Sequence, residues 1–466
     1  MVETFLEEPS RDADAPNTEL QPDSNIETNL TENIHSSDEP FLSWGVSETY
    51  SDIFPDLSPF DLSRVSHPIP NPEEDIDPAL AHILTSLEHL HNTLITTAEP
   101  SYSGTTFNPT LAKQIFVPSH RKAFLPTYFR HTHKHLPLVH HPTFNVTTSS
   151  PALVLVLFLC GALYAPPRDA VLAIPAAFFP IAEEFVFRRV EVLLELHHHQ
   201  QQQQGGDDDD DVVDGAGGGW VEEEREMYET LQAAVLVRGA QFMMNTSNNP
   251  AVRSRAWMVR RPVLVEVVRK LGLACARHTN TVGRRPDWGR FVRDEIRIRI
   301  AAWVLLDDWQ QAGVFHLPVL MTTDEMTGEL PCLQELWEAN DATEFEAVVT
   351  ANGQRLAASW SGVGGFSLGG ITMLDLHLLI SSIYVIIGTA RHHSLLQTCI
   401  PALQRATARW EELGVVRHCG EFCWLANTLL KHSLAGKDKT TTYFQRRGHE
   451  TPKELHGLLR ELREGQ

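Results

Sequence analysis

One short stretch of the sequence matches the nucleophile motif of an esterase. Residues 365–369 read GFSLG, so Ser367 occupies the central position of the pattern G-x-S-x-G. That pattern exposes a nucleophile only at a strand-to-helix turn, where an Asp and a His complete the site. The residues leading into it, LAASWSGVGG, lack the pattern of a buried strand. We therefore interpret it as a glycine-rich loop, predict that the chain is not an enzyme, and rank an esterase last of three candidate functions.

A cluster of histidines could instead ligate a metal ion. Its members are His131, His133, His135, His140 and His141. On a helix, the alternate spacing of the first three would point them to different faces, whereas zinc needs four ligands that converge on a tetrahedron. A structural role is the simpler interpretation, and we predict no metal or cofactor in this chain.

Other reactive pairs also have structural interpretations. Asp307 and Asp308 would point about 100° apart on a helix, so we expect them to end that helix and to pair with nearby arginines. Cys419 and Cys423 lie one helical turn apart and could form a redox or zinc site, but buried, inert thiols are commoner.

Arginines recur in two clusters that could contact phosphates. They stand at positions 253, 255, 260 and 261, and again at 284, 285, 290 and 293. Phosphate contacts dominate the affinity of proteins for nucleic acids. No aromatic or recognition-helix pattern accompanies these arginines, so we interpret both clusters as solvated helix faces.

The charge of the chain is unevenly distributed. The net charge is −22, but residues 1–100 contribute −19 and residues 205–226 contribute −9, which leaves +6 on the rest. The acidic total therefore does not exclude a nucleic-acid partner, and the mildly basic remainder does not establish one. Six scattered cysteines indicate a reducing compartment, and we expect neither a signal peptide nor a membrane segment.

The N-terminal segment, residues 1–76, combines acids with isolated aromatic residues, as in FLSWGVSETYSDIFPDLSPFDL (residues 41–62). Such a composition cannot bury enough apolar surface to offset its ordering entropy, so we expect disorder. Solvated aromatics among acids are also typical of activation segments. A plain solvated tail is the alternative.

The remaining elements are predicted to be helices. Asp77 and Pro78 form a start signal, and a heptad seam follows at Leu80, Ile83, Leu87, Leu90 and Leu94. Two heptads favour packing against the body over dimerisation.

Further start signals precede other helices. Ser150-Pro151 opens an apolar helix, and Pro180 opens one that ends near Leu196. Pro262 opens a helix that ends at Gly272, and Thr451 caps a terminal helix. No convincing strand pattern occurs, so the predicted fold class is all-α. Residues 197–219 form a low-complexity insert that we expect to be a loop.

Two segments resemble the regulatory domain of fungal transcription factors. The first, residues 124–144, carries Tyr128, Phe129, His133, His135, Pro137, Leu138, Val139, His140, Pro142, Thr143 and Phe144. The second, residues 294–337, carries Glu295, Arg297, Arg299, Trp303, Asp307, Pro318, Glu325, Leu330 and Pro331. The resemblance is clear over roughly residues 109–345 and looser over the rest of the chain. It implies a large all-α regulatory domain over residues 109–466, preceded by a leading helix and linker over residues 77–108.

In the family that these segments resemble, an N-terminal zinc module reads DNA. Such a module needs four Cys or His ligands at short spacing. The first cysteine here is Cys160, so residues 1–159 do not supply one. Three explanations are open: the zinc module is encoded upstream of this chain, the gene has lost it, or a DNA-binding partner provides it. The zinc that the family binds would belong to that module.

The resemblance leads us to predict a nuclear transcription regulator. Its expected partners are DNA, directly or through another protein, and the transcription machinery through the acidic arm. A homodimer or heterodimer remains open, as does a small-molecule effector, whose cavity we expect between the two segments. The second-ranked function is a co-regulator without its own DNA contact, which pairs with a DNA-binding relative through the Leu80–Leu94 seam.

Overall fold

A computed structural model of the chain describes residues 77–97, 107–133, 136–164, 168–204, 222–243, 254–279, 287–351, 373–389, 393–412, 419–436 and 443. Within these residues 80% of the chain is helical and no strand forms, which confirms the all-α prediction. The helices are α1 (Pro78–Thr96), α2 (Pro109–Ile115), α3 (Pro118–His131), α4 (Pro151–Ala162), α5 (Arg168–Gln204), α6 (Glu222–Met243), α7 (Arg261–Lys270), α8 (Trp288–Phe315), α9 (Gln334–Trp337), α10 (Ala342–Ala351), α11 (Met373–Thr389), α12 (His393–Glu412) and α13 (Cys419–Leu434). The predicted acidic arm, the motif at Ser367 and the helix predicted after Thr451 lie outside the described residues.

Helix α4 forms the centre of a first group of helices. Every residue from Ala152 to Ala162 is buried, and α3, α5 and α6 pack around it. Ser150 caps its start by accepting a hydrogen bond from the Leu153 amide at 3.2 Å. A Cβ at Gly161 would overlap the carbonyl oxygen of Phe124 and lie 2.6 Å from its carbonyl carbon. Glycine is therefore required for the close approach of α3 to α4.

Helix α8 connects this group with a second one. It contacts α6, α7 and α11, and α11 packs against α12 and α13. The spacing of Val292, Ile296, Ile300 and Trp303 predicts an apolar stripe on this helix; the first three residues are buried, and Trp303 is half-buried. The core is therefore built from helices that pack in two groups joined by α8.

Helix α1 packs against α4 and α5, as its heptad seam predicts. Asp77 caps its start by accepting a hydrogen bond from the Ala79 amide at 2.8 Å. Leu80, Ile83, Leu87 and Leu94 are each at most 2% exposed, and Leu90 is half-buried. Because the body already covers this seam, the seam is not the pairing surface that the co-regulator hypothesis requires.

Two predictions about α5 are wrong. The helix begins at Arg168 rather than at Pro180, and it continues to Gln204 through the first part of the segment expected to be a loop. Proline disfavours a helix interior, but Phe178, Phe179 and Ile181 are fully buried around it, and their packing outweighs the local preference. At the C-terminal end of α5, residues 200–204 are all glutamines, and glutamine is a good helix former.

The expected end of α8 at Asp307 and Asp308 is also wrong. The helix continues to Phe315. His316 caps its end, and the φ of this residue, 50°, lies in the left-handed region. The predicted end of α7 is confirmed, since Gly272 follows it with a φ of 62°.

Candidate functional site

Arg299 on α8 joins the two segments that carry the family resemblance. Its Nη1 donates to the Pro137 carbonyl oxygen at 2.7 Å, and its Nε donates to Glu295 Oε1 at 2.6 Å. Its guanidinium lies 4.2 Å above the ring of Trp337, which is a cation–π contact. The Arg299 side chain is only 2% exposed. One buried cation therefore connects residues 124–144 with residues 294–337, and we call its surroundings the Arg299 junction.

Glu295 is the anion of this junction. It lies one helical turn before Arg299, an i,i+4 spacing that favours pairing of opposite charges on a helix, and it is fully buried. Its Oε1 also accepts the Cys332 amide at 3.0 Å, and its Oε2 lies 3.0 Å from His278 Nε2. Burial raises the pKa of Glu295, but Arg299 and His278 outweigh it and hold that pKa below its ordinary value.

His278 bridges two carboxylates, a contact that no sequence pattern indicated. Its Nε2 faces Glu295, and its Nδ1 lies 2.6 Å from Glu329 Oε2. Burial lowers the pKa of His278, but its hydrogen bonds to the two carboxylates outweigh burial and raise that pKa to about 9. His278 is therefore a second buried cation, held between α8 and the segment that follows it.

The His278 bridge predicts an alkaline loss of stability. The folded-state pKa of about 9 exceeds the ordinary 6.5, so the stabilisation is complete below pH 6.5 and is lost as pH rises through 9. We expect the free energy of unfolding to fall by roughly 3 kcal/mol over this window. Urea denaturation at several pH values would measure this, with His278→Gln flattening the profile and exposed His89→Gln leaving it unchanged. An unaltered profile in His278→Gln would contradict the assignment.

His140 and His133 are neutral partners of the same junction. The ring of His140 packs against Trp337 at 4.8 Å and Trp288 at 5.8 Å, and its Nδ1 lies 2.8 Å from Thr143 Oγ1. Burial, then the charge of Arg299, lowers the pKa of His140 to about 3 and that of His133 to about 4. Their stabilisation is complete above pH 6.5 and is lost as pH falls through these values.

The other signature residues of the first segment have packing roles. Tyr128 is fully buried, and Phe129 stacks on His141 at 4.0 Å and lies 5.5 Å from Phe144. Pro142 is part of the short 3-10 turn His141–Thr143. His135 lies outside the described residues.

Asp307 and Asp308 form the predicted ion pairs with arginines. Asp308 is fully buried and accepts Arg261 Nε at 2.8 Å and the Met321 amide at 3.0 Å. Arg261 also donates to the Pro318 carbonyl oxygen, which fixes the turn after α8. Asp307 accepts Arg238 Nε at 2.7 Å. Leu330 and Pro331, farther along the second segment, are buried as well.

The interpretation of the first arginine cluster as a solvated helix face is wrong. Arg255 and Arg260 are buried and bind Glu183 and Glu184 of α5. The Arg260 guanidinium also lies 4.7 Å above the Phe187 ring. These four charged residues, named here the Glu183 box, are therefore unavailable for phosphate contacts. Of the other arginines in the clusters, Arg290 and Arg293 are half-buried, and positions 253, 284 and 285 lie outside the described residues.

The histidine cluster does not gather into one site. His131 stacks on Tyr164, His133 and His140 are buried, and His141 is exposed beside Phe129. Across the described part of the chain, no group of three or more His, Cys, Asp or Glu side chains could hold a metal ion. Cys423 is buried, and the side chain of Cys419 lies outside the described residues.

A cleft lies beside the first segment rather than at the Arg299 junction, where we expected a cavity. Arg299, Trp337 and His140 pack directly against each other at the junction. The cleft has a volume of 460 Å³ and is lined by Leu125, Pro126, Phe129, Arg130 and His141. Its wall at His141 directly follows the buried His140, so the cleft and the junction share one short turn.

Among the described residues, no helix is both long and apolar enough to cross a membrane. Comparisons of the chain with protein-family models, with curated proteins and with solved structures give no match.

Proposed function

We propose that this chain is a transcription regulator of the fungal type and that its helical body is the regulatory domain. The supporting observation is the Arg299 junction, where Pro137 of the first segment meets Glu295 and Trp337 of the second. Residue types that resemble one family thus have a shared physical role in this chain. They hold two distant stretches of sequence together through buried charge and aromatic contacts.

The proposal assigns the acidic arm to contact with the transcription machinery in the nucleus. Residues 1–76 combine acidic residues with isolated aromatic residues, as activation segments do. The helical body would receive a signal and control the exposure of this activation segment. DNA would be reached through a zinc module upstream or through a partner protein. A co-regulator remains the second candidate, but it would need a pairing surface other than the buried Leu80–Leu94 seam.

A tethered reporter tests this proposal. The full chain is fused to a defined DNA-binding module in a fungal host that carries a reporter with the matching sites. We expect reporter output to change at least severalfold and to return towards baseline when Trp44, Phe54 and Phe60 are replaced by serine. Replacing Ser43, Ser51 and Ser58 by alanine is the matched control. An unchanged reporter with a fully expressed fusion would reject the proposal.

The affinity of the purified chain for DNA separates the two candidates. A co-regulator should bind DNA only weakly, without sequence preference, and should lose that binding steeply as salt increases. Selective binding that persists at physiological salt would favour a direct regulator.

A further inference from the structure

The exposed face of α3 carries cations on both sides of an apolar cleft. Lys122, Pro126 and Arg130 are exposed and recur every four residues, so they form one stripe along the helix. Leu125 and Phe129 lie half-buried beside that stripe. Helix α3 contains no acid, and none of the described residues that line the cleft of 460 Å³ is acidic. Such a face suits a ligand with aromatic side chains flanked by negative charges.

The charges on this face are not neutralised within the described part of the chain. Neither Lys122 nor Arg130 forms an ion pair there, whereas Arg121 on the same helix binds Asp77 at 2.6 Å. The stripe therefore differs from the Arg299 junction and the Glu183 box, whose cations are buried and paired. Its cations are available to a partner in water.

We propose that this face of α3 binds the acidic aromatic segment Leu42–Leu62 of the same chain. The segment carries the aromatics Trp44, Tyr50, Phe54 and Phe60 and the acids Glu48, Asp52, Asp56 and Asp61. It contains no lysine or arginine, so its charge is opposite to that of the α3 stripe throughout. The aromatics would enter the cleft at Phe129, and the acids would face Lys122 and Arg130.

The path of the chain makes this contact easy to reach. Asp77, where the described chain begins, is fixed to the start of α3 by Arg121 and by its amide, which donates to the Phe116 carbonyl oxygen at 2.9 Å. The stretch from Leu62 to Asp77 can span at most about 50 Å, whereas α3 is only about 21 Å long. A short tether raises the effective concentration of the segment to about millimolar, so even weak contacts suffice.

The contact between residues 42–62 and α3 does not depend on the proposed function. Its role in regulation does rest on the proposed function. A segment held on α3 is shielded from other proteins, and a ligand that fills the cleft would release it. The cleft adjoins the Arg299 junction through the turn at His141. A change in the packing of the junction would therefore also alter the exposed face of α3.

Photo-crosslinking of the full chain tests the contact. A benzophenone amino acid replaces the exposed Pro126, and cross-linked peptides are identified by mass spectrometry. We expect the main product to join position 126 to residues 42–62, and its yield to fall at least fivefold in Lys122→Glu with Arg130→Glu. The exposed Lys270→Glu is the matched charge control, and the probe at the exposed Met258 is the positional control.

Mixing isotope-labelled and unlabelled chains identifies the donor of the segment. Products within one chain support the proposal, and products between chains would replace it with pairing of two copies. Cross-links that avoid residues 42–62, or a yield unaffected by the charge reversals, would overturn it. The reporter result is separate, since a chain could fail as a regulator and still form this cross-link.

Discussion

Replacing Arg299 with leucine is expected to lower the free energy of unfolding by about 3–5 kcal/mol. The substitution leaves Glu295 as an ionised carboxylate with no exposed surface, and it leaves the Pro137 carbonyl without its donor. His278 stays beside Glu295, but the carboxylate keeps its full desolvation cost while losing the cation that lowers its pKa most. The stacking on Trp337 is lost as well. We therefore expect this to be one of the two most damaging single changes.

Urea denaturation of Arg299→Leu against Arg269→Leu would measure this effect. Arg269 also binds a glutamate, Glu325, but both side chains are at least one-third exposed, so that loss should cost only about 0–1 kcal/mol. Arg299→Lys keeps the charge but not the fork of donors, so its effect should be intermediate. Equal stability of the Arg299→Leu and Arg269→Leu variants would show that the junction is not a structural centre.

Replacing Glu183 with leucine should have an effect of similar size, also about 3–5 kcal/mol. Glu183 is 1% exposed and accepts Arg255 Nη2 and Arg260 Nε, both at 2.8 Å. Its loss would remove one of the two carboxylates that bind both buried guanidinium groups. The apolar contacts of a leucine cannot offset the loss of an anion between two buried cations.

The matched control for Glu183 is Glu266→Leu on α7. Glu266 pairs with Lys270 at 3.6 Å, and both side chains are more than half exposed, so little stability should be lost. Glu183→Gln, which keeps the shape and removes the charge, should fall between the two variants. A Glu183→Leu protein as stable as Glu266→Leu would contradict the account of the Glu183 box.

Sequence periodicity was enough to predict the parts of the fold that depend on neighbouring residues. The all-α class, the buried seam of α1, the cap at Ser150 and the Glu295–Arg299 pair all follow from spacings of three to seven residues. The sequence also predicts that Asp307 and Asp308 form ion pairs with arginines, although it does not identify which arginines.

Long-range contacts account for what periodicity missed. Arg255 and Arg260 looked solvated because their acids on α5 lie more than 70 residues earlier in the chain. The π-helical turn Ala256–Arg260 adds to this, since its i→i+5 bonding brings residues five apart onto one side. His278 gave no signal because Glu295 and Glu329 lie 17 and 51 residues away from it.

Chromatin occupancy of the full chain is the measurement that tests the proposed function most directly. An epitope-tagged chain would be cross-linked to chromatin in its own cells, and the recovered DNA would be sequenced. The account predicts reproducible enrichment at a defined set of promoters, and altered transcription of the adjoining genes when the chain is removed. Recovery of DNA at the level of an untagged control, with no change in transcription, would contradict it.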